Sequence, residues 1–133
     1  MSKDGMNYAP EAAAEKVVEP GEFVFAASHF DHGHIYGQIN NLVKAGGTLK
    51  WVFAEDANKL GPVEDLIKAG TRVAERFEDI LEDPEVQMVT SAAIPNKRAG
   101  IGFQVMDAGK DYFTDKSPFT TLEQLAQARE KIK

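Results

Sequence analysis

Apolar residues in this chain occur in two patterns that alternate from residue 22 onward. Short, nearly continuous runs are separated by stretches in which apolar residues recur every three or four positions. The short runs are Glu22–Ser28 (EFVFAAS), Thr48–Ala54 (TLKWVFA), Thr71–Val73, Val86–Ala92 (VQMVTSA) and Lys110–Thr114 (KDYFT). Each reads as a strand, and the first is apolar enough to be covered on both faces. Between the first two, His32–Ala45 carries Ile35, Ile39, Leu42 and Val43 on one helical face. Gly46-Gly47 ends that helix, because glycine accepts the left-handed conformation that follows a helix.

Glu55-Asp56-Ala57-Asn58 reads as a polar turn, and Pro62–Ala69 as a second helix with proline in its first turn. Phe77–Leu81 is a helical turn closed before Asp83-Pro84. Pro95-Asn96 opens a helix that turns Ile101, Val105 and Met106 inward and closes at Ala108-Gly109. Thr120 or Thr121 caps the last helix, with Glu123 or Gln124 placed for a capping box. Leu122, Leu125 and Ala126 are expected to face the core.

Alternating strands and helices predict an α/β fold, a doubly wound parallel sheet of about five strands with helices on both faces. Right-handed crossovers give the strand order 3-2-1-4-5. Ligands in such sheets bind outside the carboxyl ends of the strands, where the order reverses. Three segments are expected to meet there: the loop after the first strand, Ala92–Asn96 after the fourth, and Asp115-Lys116 after the fifth. Residues 1–21 read as an N-terminal arm. It has a break at Tyr8-Ala9-Pro10, a short helix over Glu11–Val18, and Pro20-Gly21 before the fold, which spans 22–133.

Composition narrows the function classes. The 133 residues suffice for one domain with a core, and 43% hydrophobic with 27% charged residues is ordinary for a globular protein. A net charge of −6 argues against a nucleic-acid surface. No apolar run is long enough to span a bilayer, and residues 1–19 hold no signal-type apolar region. The absence of cysteine excludes disulfides and thiolate chemistry and is compatible with a cytoplasmic protein. The single tryptophan, Trp51, lies mid-strand and reads as core packing.

All three histidines fall in the first loop, as Ser28-His29-Phe30-Asp31-His32-Gly33-His34-Ile35. This is where a dinucleotide fold holds a pyrophosphate, yet the glycine positions of G-x-G-x-x-G fall near His29, Asp31 and His34. Two readings follow. In one, the helix N-terminus together with His29 or His32 binds phosphate. In the other, Asp31 caps the helix while the histidines pack or face solvent. Three imidazoles also raise a metal site, but the spacing His29-x-x-His32-x-His34 matches no standard zinc pattern, so no metal ligand is assigned.

Over residues 22–133 the chain resembles the Gfo/Idh/MocA oxidoreductases. The resemblance rests on FDHGHIYG, FEDILEDPEVQMV, IPN and MDAGKDYFTDKSPFTT. The last contains the family's acid-lysine-proline motif, with Asp115 and Lys116 in its first two positions, Ser117 in the third and Pro118 one later. The resemblance implies a Rossmann domain that binds NAD or NADP. It implies hydride transfer on a sugar, polyol or related hydroxy compound, with Lys116 as the catalytic residue near nicotinamide and substrate. Cofactor contacts are implied for Ser28, His29, Phe30, His32, Gly33, His34, Ile35, Ala93, Ile94, Pro95, Asn96 and Asp115. Ala54 aligns with the acidic ribose-binding position, and Glu55, one residue later, is the candidate for that role. The family's second, substrate domain is absent from this chain, so the resemblance implies a domain inactive alone, and the apolar surface that such a domain leaves uncovered is expected to drive self-association into a homo-oligomer. The competing reading is a non-catalytic Rossmann-like module, acting through self-association or a protein partner.

Overall fold

β1 (Val24–Ser28) is fully buried from Phe25 to Ser28 and forms the middle of the sheet. The structure, a computed structural model, describes residues 15–133. The expected break at Tyr8–Pro10 and the start of the helix over 11–18 lie outside the described residues. Glu15–Val18 is not helical; the Val17 and Val18 N–H groups instead donate to the Ala45 carbonyl, at 2.8 and 3.3 Å.

From β1 the chain runs through α1 (His34–Lys44), β2 (Thr48–Phe53), a 3-10 segment (Ala57–Val63), α2 (Glu64–Lys68), β3 (Arg72–Val73) and α3 (Phe77–Leu81). It continues through β4 (Met88–Ser91), a 3-10 turn (Pro95–Lys97), α4 (Arg98–Asp107), β5 (Asp111–Thr114) and α5 (Leu122–Lys131). The five strands are parallel in the order β3-β2-β1-β4-β5, as the alternation predicts. The core has two layers because β1 alternates its side chains. Phe25 and Ala27 join Ile35, Ile39, Leu60 and Val63 of α1 and the 3-10 segment. Ala26, on the opposite face, joins Phe77 and Ile80 of α3 and Ile101 and Val105 of α4.

The boundaries differ where side chains redirect the backbone. The expected turn at 55–58 is already the start of a 3-10 segment, because the Asp56 carboxylate accepts from Asn58 N–H at 3.0 Å. Thr121 caps α5, accepting from Gln124 N–H, while the Gln124 side-chain oxygen accepts from Thr120 N–H at 2.7 Å. Leu122 and Ala126 do not face the core. Leu122 is 85% exposed, because the side of α5 turned toward α4 carries Leu125 and Ala128 instead. Gly102 is required by packing, since a Cβ there would lie 2.5 Å from the Tyr112 ring of β5.

Charged groups tie the amino ends of the strands together. Buried Lys110 donates to the carbonyls of Asp83 and Val86 at 2.6 and 3.0 Å. Trp51 packs against Arg72 and donates its indole N–H to Asp83 at 2.7 Å, and Lys50 pairs with the same carboxylate at 2.7 Å. Burial raises the Asp83 pKa, but the Lys50 ammonium and the Trp51 donor outweigh it and bring the group down to about 2. A depressed carboxylate stabilises the fold above its unfolded value of 3.8, and the stabilisation is lost as pH falls toward about 2. Asp83→Asn should therefore lower the unfolding free energy at neutral pH by about 1–3 kcal/mol. Denaturant titration followed by Trp51 fluorescence measures this, and the gap from the parent should close in acid.

Candidate functional site

The carboxyl ends of β1, β2 and β4 are joined by backbone hydrogen bonds as well as proximity. Past the end of β1, His29 N–H donates to the Phe53 carbonyl of β2 at 3.0 Å. The Ala92 N–H donates to the His29 carbonyl at 3.2 Å, and His32 N–H returns to the Ala92 carbonyl at 3.0 Å. The loop is thereby strapped across the point where the strand order reverses. To make this path His29 adopts φ +56°, a left-handed conformation that costs a non-glycine residue roughly 1–2 kcal/mol. Lys116, after β5, has φ +64°. Among the described residues these are the only non-glycine residues with positive φ, and both lie at the sheet's carboxyl edge. Backbone strain of this kind clusters at functional sites.

The three histidines have different surroundings. His29 turns toward the α3 side, where its ring meets the edges of Phe77 and Phe53 with centroids 4.8 and 5.6 Å away. Its Nδ1 lies 2.9 Å from Oγ of buried Ser28. Burial lowers its pKa below 6.5, while Asp31 and Glu55 pull upward and Lys97 adds to the lowering. His32 is exposed and its Nδ1 accepts from His34 N–H at 3.2 Å, which places its proton on Nε2, available to a ligand. His34 Nδ1 hydrogen-bonds the Asp115 carboxylate, linking the first loop to the loop after β5. The rings of His32 and His34 meet edge to face at 4.2 Å. No cluster of three metal-ligating side chains forms among the described residues, since His29 points away from the other two.

The helix cap differs from that of the reading in which Asp31 caps α1. His32, not Asp31, occupies the α1 N-terminus; the Asp31 carboxylate turns to accept from Ile94 N–H at 3.3 Å. Around α1, Ile35 N–H donates to the His32 carbonyl at 3.2 Å and Tyr36 N–H to that of Gly33 at 3.3 Å. Gly33 is exposed with φ −61°, and a Cβ there would meet nothing within 4 Å, so the protein itself does not require glycine at this position. The bare Gly33 backbone, the outward His32 Nε2–H and the helix end fit an anionic phosphate.

Asp31 and His32 with the segment after β4 form one wall of a cleft of about 670 Å³, and the loop after β5 forms the other, while Gly33, His34 and Asp115 line a separate cleft of about 640 Å³. The lining of the first includes Asp31, His32, Ala93, Ile94, Pro95, Arg98, Lys116 and Ser117. The three segments expected to converge therefore do so. Asn96 lies on the far side of the 3-10 turn, beside His29 and Glu55 in a smaller cleft of about 370 Å³, where its carbonyl accepts from Gln124. Glu55 is exposed just past β2, next to Ala54. Phe30 and Ile35 have their side chains in the core, 3% and 0% exposed, so they can meet a ligand only through backbone. Arg98 was not among the expected site residues. Its signal is a charge at the head of the buried face 98, 101, 102, 105, where the spacing calls for an apolar residue.

No family model matches this chain, and no curated protein does. Solved structures do. A protein designated an oxidoreductase, from Erwinia carotovora atroseptica SCRI1043, is 34% identical with a TM-score of 0.77, over 84% of this chain and 33% of its own. Myo-inositol dehydrogenase from Lactobacillus casei, in complex with NAD(H) and myo-inositol, is 19% identical with a TM-score of 0.71, over 82% of this chain and 32% of its own. The WlbA dehydrogenase from Chromobacterium violaceum, in complex with NADH and UDP-GlcNAcA, is 19% identical with a TM-score of 0.68, over 88% and 36%. The chain thus spans about a third of the length of these proteins. They are Gfo/Idh/MocA-type NAD-binding oxidoreductases, and the match falls on their N-terminal Rossmann domain.

The neutral His29 generates a prediction. Its lowered pKa means the unfolded chain binds the proton first as pH falls below 6.5, so that the fold loses stability there. His29→Asn keeps a residue that tolerates positive φ and should flatten the stability slope below pH 6.5. Urea titrations of both proteins across that range measure it; equal slopes would remove His29 as the cause.

Proposed function

We propose that this chain, a Rossmann domain of the Gfo/Idh/MocA oxidoreductase type, binds NAD or NADP across the carboxyl ends of β1 and β4. The observation that carries the reading is the joining of the histidine loop to the Asp115-Lys116 loop through His34, beside one cleft at the reversal of strand order. In this reading Gly33 N–H and His32 Nε2–H hold the pyrophosphate, and His34 steadies the helix end through Asp115. Ser28, His29, Phe30 and Ile35 maintain the path of the loop. Glu55 takes the adenosine ribose, and Ala93, Ile94, Pro95 and Asn96 line the approach to the nicotinamide ribose.

The bound nicotinamide would supply hydride chemistry. Lys116 faces the same cleft and would stabilise negative charge developing on a substrate oxygen. The substrate class is a sugar, polyol or related hydroxy compound, with remaining contacts from a second domain of the whole protein. Without such a domain the chain is inactive. The parent protein is cytoplasmic and homo-oligomeric in this reading. Self-association would use the apolar groove of about 560 Å³ between α4, β5 and α5, which includes Phe103, Met106, Tyr112 and Leu125. Among the described residues no helix is long and apolar enough to cross a membrane.

One observation favours a second reading, a non-catalytic module: the N–H groups of His29, His32, His34 and Ile35 already donate to partners within the protein, which leaves Gly33 N–H as the donor at the head of α1. Thermal denaturation with millimolar NAD(H) and NADP(H) separates the two. The first reading predicts a rise in Tm of several degrees, lost in His32→Ala. A folded sample with no rise for any of the four nucleotides would replace it with the second.

A further inference from the structure

Arg98 opens α4 with its side chain 5% exposed, and no acidic side chain pairs with it among the described residues. A buried cation without a counter-ion is costly, and proteins ordinarily supply a carboxylate. Here the partners are carbonyls. Nε donates to Ala93 at 2.8 Å and a terminal nitrogen donates to Ser117 at 3.2 Å. Those bonds use two of the guanidinium's five N–H donors. They also fix the head group between the segment after β4 and the loop after β5, and the residue lines the 670 Å³ cleft. A planar donor fork held rigidly at a cleft is suited to binding a carboxylate at two points.

The charge balance of the cleft narrows the ligand. Its lining carries two cations, Arg98 and Lys116, and one carboxylate, Asp31, already engaged by Ile94 N–H. One positive charge remains beside the loop after β5, which matches the single charge of a carboxylate. The cleft volume is in the range of small-molecule sites.

We propose that Arg98 is the specificity-determining residue of this cleft and that the substrate is a hydroxy acid of sugar type, whose carboxylate Arg98 receives while Lys116 faces the reacting hydroxyl. This deepens the proposed function and rests on its reading of the cleft. It adds a charge requirement that a neutral polyol substrate does not have.

The test uses the 15N-labelled chain without dinucleotide, so that its outcome is independent of the Tm measurement with NAD(H). D-glucuronate should shift the Arg98 Nε–H resonance and the Lys116, Ser117 and Thr120 amides saturably, and D-glucose should bind at least about tenfold more weakly. Arg98→Gln should abolish the preference. Because that variant also loses two bonds to carbonyls, Lys116→Gln, at an exposed position, serves as the second variant and should weaken glucuronate about threefold or more. Equal responses to the two sugars would overturn the proposal. So would a glucuronate response unchanged in folded Arg98→Gln and Lys116→Gln, or inorganic phosphate saturating the same resonances at lower concentration than glucuronate.

Discussion

Everything at the proposed site depends on two hydrogen bonds to one residue, Ala92. Its N–H donates to His29 and its carbonyl accepts from His32, so the loop after β1 is fastened to the end of β4 rather than standing free. That fastening forces His29 into positive φ, turns its ring toward Phe77, and delivers His32 to the first turn of α1. It also places Asp31 against Ile94 N–H, which opens one wall of the cleft. A glycine loop achieves close approach to a ligand by having no side chains. This loop keeps its side chains and directs them elsewhere.

The strap depends in turn on β1 being buried on both faces. Phe25 and Ala27 commit one face to α1, and Ala26 commits the other to α3 and α4, so the strand's register with β2 and β4 is fixed. A slip by one residue would exchange the two faces and move His29 away from Ala92. The charged clasp at the amino ends, with Lys50, Trp51, Asp83 and Lys110, leaves the carboxyl edge free to carry strained residues.

Much of this was legible in the residues. The continuous apolar run of β1, the spacing of Ile35, Ile39, Leu42 and Val43, and the paired glycines after α1 define the βαβ unit and the topology that follows. The meeting of the three carboxyl-end segments followed from strand order alone. Side-chain direction did not. Whether Asp31 or His32 caps α1 depends on the Ala92 bonds, which are long-range. Leu122 fits an apolar spacing, yet the side of α5 that meets α4 excludes it. Arg98 was readable only as an anomaly on an apolar face. Its meaning needed the positions of Ala93, Ser117 and the cleft.

The most direct test is a crystal structure of this chain grown with NADH. The pyrophosphate is expected against Gly33 N–H and the outward nitrogen of His32, with His29 still packed on Phe77 and the nicotinamide end directed toward Lys116. A dinucleotide bound elsewhere on the surface, or crystals saturated with NADH that show the histidine loop without a nucleotide, would contradict it.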